Sequence, residues 1–295
     1  AAVELFKRLV YEECGISFTK SNEIVLTNRI RERLVATESA TYEDYRKFVA
    51  VDRDEKRRLI EAVTTQLTRF FRNSPQFEAF EKDVLPELIA EARVTARAPA
   101  KPRLRFWSAG CSTGEEPYSI AISVLEKLGR EAAAWDVSIH ASDLNLSALM
   151  KAREGVYGKQ KLEVVPKPIA ARWFRALPDG RQQVVDEVRK LVVFDYHNLK
   201  NDGGHQGFDC VFCRNVIIYF DIPGQEAVVR RIYESLRPGG RLFLGHSESL
   251  FGMGIPLEFR KVRDACIYVR TTSAAAEGEP KVADGSAPRD RTVAV

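Results

Sequence analysis

The sequence has no long apolar run. None of its 295 residues belongs to a stretch approaching the ~18 residues a membrane-spanning helix requires. The first residues, AAVELFKRLV, lack the apolar block and cleavage site of a secretory signal, so a cytoplasmic location without direct membrane insertion is expected. Cysteine is sparse: Cys14, Cys111, Cys210, Cys213 and Cys266 are an odd, scattered set that excludes a disulfide framework and suits a reducing compartment. Cys210-x-x-Cys213 is the one close pair. It lies in a strand-like run where positions three apart face opposite sides, and no second pair accompanies it, so buried small residues and no metal are expected. Charge of one sign is never concentrated: 45 basic and 41 acidic residues are spread along the chain for a net +4, which excludes a nucleic-acid-binding run. Neither G-x-G-x-x-G nor G-x-x-x-x-G-K-[ST] occurs, which counts against a dinucleotide and a nucleoside triphosphate. What remains, 45% hydrophobic and 29% charged, is ordinary for a globular chain with room for two modest domains.

The most informative stretch is LRFWSAGCSTGEEPYSIAI, residues 104–122. An apolar strand-like run through Phe106 and Trp107 stops at the small residues Ala109 to Gly114, then restarts as a helix through Pro117, Tyr118, Ile120 and Ile122. Small residues let backbone approach a ligand, and Pro117 fits an early helical position whose N–H would go unpaired. A ligand is expected at this turn, with Gly110 against it. Glu115 and Glu116 stand where phosphate-binding loops present bare amides; they would repel a pyrophosphate and suit a cationic ligand, unless they only complement the helix dipole. About thirty residues on, VSIHASDLN is a second strand ending in Asp143, placed to accept ribose hydroxyls or, alternatively, to cap the following helix.

Around this nucleus the chain divides. Residues 1–92 are helical throughout and read as a small all-helical domain. Leu26, Ile30 and Leu34 form one stripe, with Arg29 and Arg33 one turn apart beside it and Arg31 pointing elsewhere: either a solvated face or a basic ridge for an acidic partner helix. TTQLTRFFRN, residues 64–73, ends the helical part with Phe70 and Phe71 as core anchors. An Ala- and Pro-rich linker (93–102) leads to an α/β domain (103–270) interrupted by an insertion (155–194) with a Pro178-Asp179-Gly180 turn. FDCVFCRNVIIYFD, residues 208–221, reads as a buried strand broken by Arg214-Asn215 at its carboxyl end, the edge where open α/β sheets bind ligands. LEFRKV and ACIYVR form a closing hairpin, and residues 271–295 lack periodicity and read as disordered.

STGEEPYSIAI, TTQLTRFFRN, FDCVFCRNVIIYFD and LRPGGRLFLGHSES together resemble the CheR family, S-adenosylmethionine-dependent methyltransferases that esterify glutamate side chains of bacterial chemotaxis receptors. The resemblance implies a Rossmann-like methyltransferase domain behind the helical one, with the insertion as a small β-subdomain. It also implies a product, S-adenosylhomocysteine. By resemblance Gln66, Thr68 and Arg72 approach the cofactor, although the family usually has Asn where this chain has Gln66. Arg72 lies near the transferred methyl, and Asn198 and Leu199 lie against the adenine. Glu116 would hold the cofactor's amino group or offset its sulfonium. Arg214 and Asn215 complete the cofactor set, and Arg72 and Tyr219 are the expected catalytic residues, Arg72 orienting the incoming carboxylate and Tyr219 offering its hydroxyl to that carboxylate or to the sulfonium. The expected partner is the cytoplasmic helices of a receptor, met by the helical domain around Arg29 and Arg33, with the enzyme a monomer that binds no nucleic acid. Some members dock a receptor tether on the β-subdomain edge and carry a longer Gly-x-Gly loop there; the single Gly180 turn predicts methylation without it. The rival readings are a cofactor-binding sensor or adaptor, and a methyltransferase acting on another substrate.

Overall fold

The computed structural model describes residues 2–271; the expected disordered tail lies, from residue 272 on, outside the described residues. Four helices come first: α1 (Ala2–Cys14), α2 (Glu23–Ala36), α3 (Tyr42–Val51) and α4 (Arg53–Val63). Thr41 and Asp52 start α3 and α4 by accepting the backbone N–H of Asp44 and Glu55, the usual N-cap solution for unpaired first-turn donors. The faces at spacings of three and four close on one core of Phe6, Val10, Leu26, Ile30, Tyr45 and Leu59, with Leu34 at its margin.

The next helices, α5 (Ser74–Ala79) and α6 (Leu85–Thr95), run on from each other through a π-helical turn at Phe80–Val84. They do not share the first core: Phe77, Phe80, Val84 and Leu88 pack with Phe106 and Phe212 of the sheet. Helical periodicity alone does not distinguish which apolar surface a stripe will face, which is why residues 1–92 read as one helical unit. Phe70, from the segment between α4 and α5, is also buried in this second core, edge-on to Tyr157 and Phe174.

The sheet is built from β1 (Arg103–Ala109), α7 (Glu115–Leu128), β2 (Asp136–Asp143) and α8 (Leu146–Glu154), then an excursion, then β6 (Val192–Tyr196), β7 (Phe208–Cys213), α11 (Ile222–Ser235), β8 (Leu236–Leu244), β9 (Leu257–Val262) and β10 (Ala265–Arg270). The excursion holds β3 (Val156–Tyr157), α9 (Lys167–Trp173), β4 (Phe174–Ala176), β5 (Gln182–Val184) and α10 (Asp186–Arg189), with a separate sheet in the order β3-β5-β4. The main sheet runs β6-β2-β1-β7-β8-β10-β9. Its first five strands are parallel and β10 is antiparallel to both neighbours. This is the helical-then-Rossmann-like α/β architecture expected. Cys210 and Cys213 are buried in β7 on opposite faces, one in each of the two clusters that sandwich the sheet.

Two local expectations change. β7 ends at Cys213, and Val216, Ile217 and Ile218 do not continue it: Asn215 takes a left-handed φ of 59° and the chain turns into a 3-10 segment, Ile217–Tyr219. An apolar run satisfies a buried turn as well as a strand, and periodicity cannot separate them. Arg33 is not a free ridge residue either. Its Nε donates to Glu55 Oε1 at 2.9 Å, and Tyr45 donates to the same oxygen at 2.8 Å, so Arg33 neutralises a carboxylate buried in the helical core.

Candidate active site

The strand order reverses between β1 and β7, because the chain passes from β1 outward to β2 and β6 and then returns to β7; ligands of open α/β sheets bind in the crevice at such a point. Here the turn after β1 and the turn after β7 come into van der Waals contact. A Cβ on Gly110, whose φ is 83°, would sit 2.4 Å from a methyl of Val216, so only glycine allows the approach. The Gly110 and Cys111 amides donate to Ser142 O at 2.8 and 2.9 Å, and the Ser112 amide donates to Asp143 Oδ2 at 2.7 Å, tying the β1 turn to the end of β2.

A cavity opens above this junction. Its walls come from the 64–72 segment, the β1 turn, the ends of β2 and β6, the turn after β7, and the end of α1. The α1 wall is fastened to the α/β domain: Asn198 Nδ2 donates to Glu13 O at 2.8 Å, Ser17 N donates to Tyr219 O at 2.8 Å, and Ile16 forms a bridge with Phe220. Of the residues singled out from the sequence, Thr68, Arg72, Gly110, Glu116, Asp143, Asn198, Leu199, Arg214, Asn215 and Tyr219 all line this cavity. Gln66 does not; it is exposed in a shallow groove with Val25 and Arg29.

The charges differ from the sequence expectation. Glu115 is fully buried, bound to Lys161 Nζ at 2.8 Å and to the Thr113 hydroxyl at 2.6 Å, and it serves the structure around α7. Glu116 does line the cavity, but Ser108 donates to one oxygen at 2.7 Å and Arg214 Nε to the other at 2.8 Å. Two free carboxylates awaiting a cation are therefore not present. Arg214 is itself almost fully buried, its Nη1 donating to Arg72 O and Gln76 Oε1, while its Nη2 has no partner. Ser112 Oγ is likewise buried without a partner. Unmatched buried donors are costly and point to a ligand with acceptors.

Asp143 accepts one backbone amide on each oxygen, from Ser112 and Asn145, and retains lone pairs toward the cavity. Burial pushes its carboxyl up while those amides pull it down, and burial prevails. It does not cap α8: Asn145 does, accepting the Ala148 amide at 2.8 Å. Asn198 spends its side-chain amide on Glu13 O and its side-chain oxygen on the Lys200 amide. The Cys111 thiol is pushed well up by burial, then by Asp143 and Glu116, so it stays protonated and is no nucleophile. Arg72 donates to Leu67 O at 2.8 Å and stands on the border between the cavity and an open groove that also contains Asn73, Pro75 and His246.

One organising residue was missed from the sequence. Glu248, in the loop after β8, accepts the amides of Gly245, Asn215, Val216 and Ile218 at 2.6 to 3.3 Å and so fixes the turn that presents Arg214 to Tyr219. Its local signal was a carboxylate three residues after a glycine at a strand end.

Comparison with known proteins adds to this geometry. Residues 66–266 match the family model described as the CheR methyltransferase SAM-binding domain, and residues 1–64 match the CheR methyltransferase all-alpha domain. Chemotaxis protein methyltransferase 2 of Pseudomonas aeruginosa is 39% identical over 81% of this chain and 83% of its own length. A probable chemotaxis protein methyltransferase of Rhizobium etli is 35% identical, covering 83% of this chain and 91% of that relative. Chemotaxis protein methyltransferase 2 of Vibrio cholerae is 32% identical over 90% of this chain and 91% of its own length.

Proposed function

The chain belongs to the CheR methyltransferase family, and from that premise we propose that it esterifies glutamate side-chain carboxylates of chemotaxis receptors. It is an S-adenosylmethionine-dependent methyltransferase. Bound S-adenosylmethionine supplies an electrophilic methyl group on a sulfonium. The cavity suits that group: Arg214 Nη2 and Ser112 Oγ are donors without partners, and Asp143 has spare acceptor capacity.

In this reading Asp143 holds the ribose hydroxyls, Arg214 Nη2 takes the cofactor's carboxylate, and Leu199 forms an apolar wall for the base. Glu116, its charge already answered, keeps the Arg214 guanidinium in place. Gly110 and Asn215 shape the floor through their left-handed backbone. A glutamate carboxylate, with an ordinary pKa of about 4.3, is ionised at neutral pH and needs no base. What the protein supplies is alignment of two reactants in a site shielded from water. Arg72 orients the incoming carboxylate with its forked guanidinium and Tyr219 offers its hydroxyl from the facing wall. The observation that carries this is the place of Arg72, shared between the enclosed cavity and the open groove.

Among the described residues no helix is long and apolar enough to cross a membrane, and we place the enzyme in the cytoplasm as a monomer. With Arg33 engaged by Glu55, Arg29, exposed on α2 beside the neighbouring Glu32, is left to meet a receptor helix. The connection from β4 to β5 is a tight turn closed by Gly180 N donating to Leu177 O, which supports methylation without a docked receptor tether. Incubation with radiolabelled S-adenosylmethionine and receptor cytoplasmic fragments is expected to give base-labile label released as methanol, undiminished when the receptor's last residues are deleted. Tight cofactor binding with no such label would reduce the protein to a sensor or to an enzyme for another substrate.

A further inference from the structure

Three of the chain's four histidines meet around one tryptophan, on the face of the sheet opposite α7. His140 alternates along β2 with Ile139 and Ala141, which belong to the core under α7, so its ring projects to the other side beside Trp107 of β1. The ring centroids of His140, His197 and His205 lie 6.1, 6.1 and 6.5 Å from that of Trp107. The 197–207 loop folds over this face and brings the His205 ring to 4.1 Å from that of His140. Asp195, from the adjacent strand β6, places Oδ2 4.0 Å from His205 Nε2. The loop is fitted to the histidines: a Cβ on Gly203 would stand 2.9 Å from His197 and 3.1 Å from His205.

We propose that His140, His205 and Asp195 form a binding site for one divalent transition-metal ion, a site that no local spacing of ligands announces. Their ligand atoms all lie within 4.8 Å of one another. Tetrahedral coordination by nitrogen and oxygen at ~2.0–2.2 Å requires separations of about 3.4 Å, within reach of small side-chain rotations. His140 Nε2 is buried and has no hydrogen-bond partner, which leaves a lone pair or a proton unanswered unless something occupies the gap between the rings. Two imidazoles and a carboxylate, with no thiolate, suit zinc, copper or nickel over magnesium or calcium, and three protein ligands leave a fourth position open. The site is distinct from the cofactor cavity but adjoins it, since His197 lines that cavity and also faces this cluster.

The test uses the full chain freed of metal by a chelator and titrated with Zn2+ by calorimetry. One equivalent should bind with a micromolar or tighter Kd. His205→Ala should weaken binding on the order of a hundredfold, no less than outer-shell losses reach, while His246→Ala and Cys266→Ser leave it unchanged. His205 is on a surface loop, so its removal spares the fold even if His140→Ala does not. Cobalt(II) should give tetrahedral d–d absorption that disappears in His205→Ala. Absence of stoichiometric zinc binding in the micromolar range would overturn the proposal, as would an affinity that His205→Ala does not change.

Discussion

The two ends of the main sheet handle charge in opposite ways. At the amino ends of β7 and β8, Arg237 joins Asp209 to Glu91, and Arg241 joins Glu91 to Glu87, clamping α6 against the sheet. Their carboxylates Glu87 and Glu91 are partly open to water and the pairs bind strand to helix; Arg241 is itself buried, with its Nε unpartnered, but Glu91, Asp209 and Arg237 face an open groove and not an enclosed cavity. At the carboxyl ends the Glu116–Arg214 pair is buried, and one guanidinium nitrogen is left over inside a cavity. One end uses charge to close the fold, while the other holds charge in an incomplete arrangement that a ligand completes. Partial satisfaction of a buried polar network is unfavourable in the free protein and becomes favourable only when something binds.

That contrast can be broken at several points. Arg214→Ala leaves Glu116 buried with only Ser108 to answer it, and should cost about 3–5 kcal/mol in urea denaturation together with cofactor binding. A loss under about 1 kcal/mol would mean that the pair is as solvated as those at the other end. Asp143→Ala removes a charged acceptor facing the cavity and should weaken S-adenosylhomocysteine by about 1.5–3 kcal/mol in calorimetry. An unchanged affinity would confine Asp143 to tying β1 to β2. Arg72→Ala should leave cofactor affinity close to that of the parent and lower turnover about tenfold or more, ~1.4 kcal/mol in the barrier; an equal fall in both would make it a cofactor ligand only. The smallest effect belongs to the closed end. Burial raises the Glu91 carboxyl, but Arg241 and Arg237 outweigh it and bring the pKa from 4.5 down to about 2. A carboxyl depressed on folding stabilises fully above about 4.5, and that contribution is lost as the pH falls toward 2. Glu91→Gln should therefore flatten the decline of stability across that window, and a parallel decline in both proteins would show the clamp to be idle.

Much of the open end was legible in the sequence because it is local. A strand stopping at small residues and restarting as a helix announces the β1 turn, and an aspartate ending the next strand announces its neighbour. The parts that were not legible depend on pairings between distant segments. Glu115 and Glu116 are adjacent in the chain, yet one meets Lys161 and the other Arg214, and nothing local distinguishes them. Glu248 acquires its role only when β8 lies beside β7, so that four amides converge on it. Arg33 looked like a surface cation until Glu55 of α4 was placed beneath it. The second core under α5 and α6, and the three histidines gathered by the sheet, have the same origin. Gln66, although only two residues from Thr68, lies in an irregular segment that leaves it exposed outside the cavity.

The end of α1 forms part of the cavity wall, tied to it through Glu13, Ile16 and Ser17. Two equilibria therefore share one boundary. Any partner that shifts α1 on docking must alter cofactor affinity by some factor, and the cofactor must then alter that partner's affinity by the same factor, because the thermodynamic cycle closes. A receptor fragment titrated with and without saturating S-adenosylhomocysteine measures this factor directly, and a value of one would mean that the helical bundle and the α/β domain bind their ligands as independent bodies.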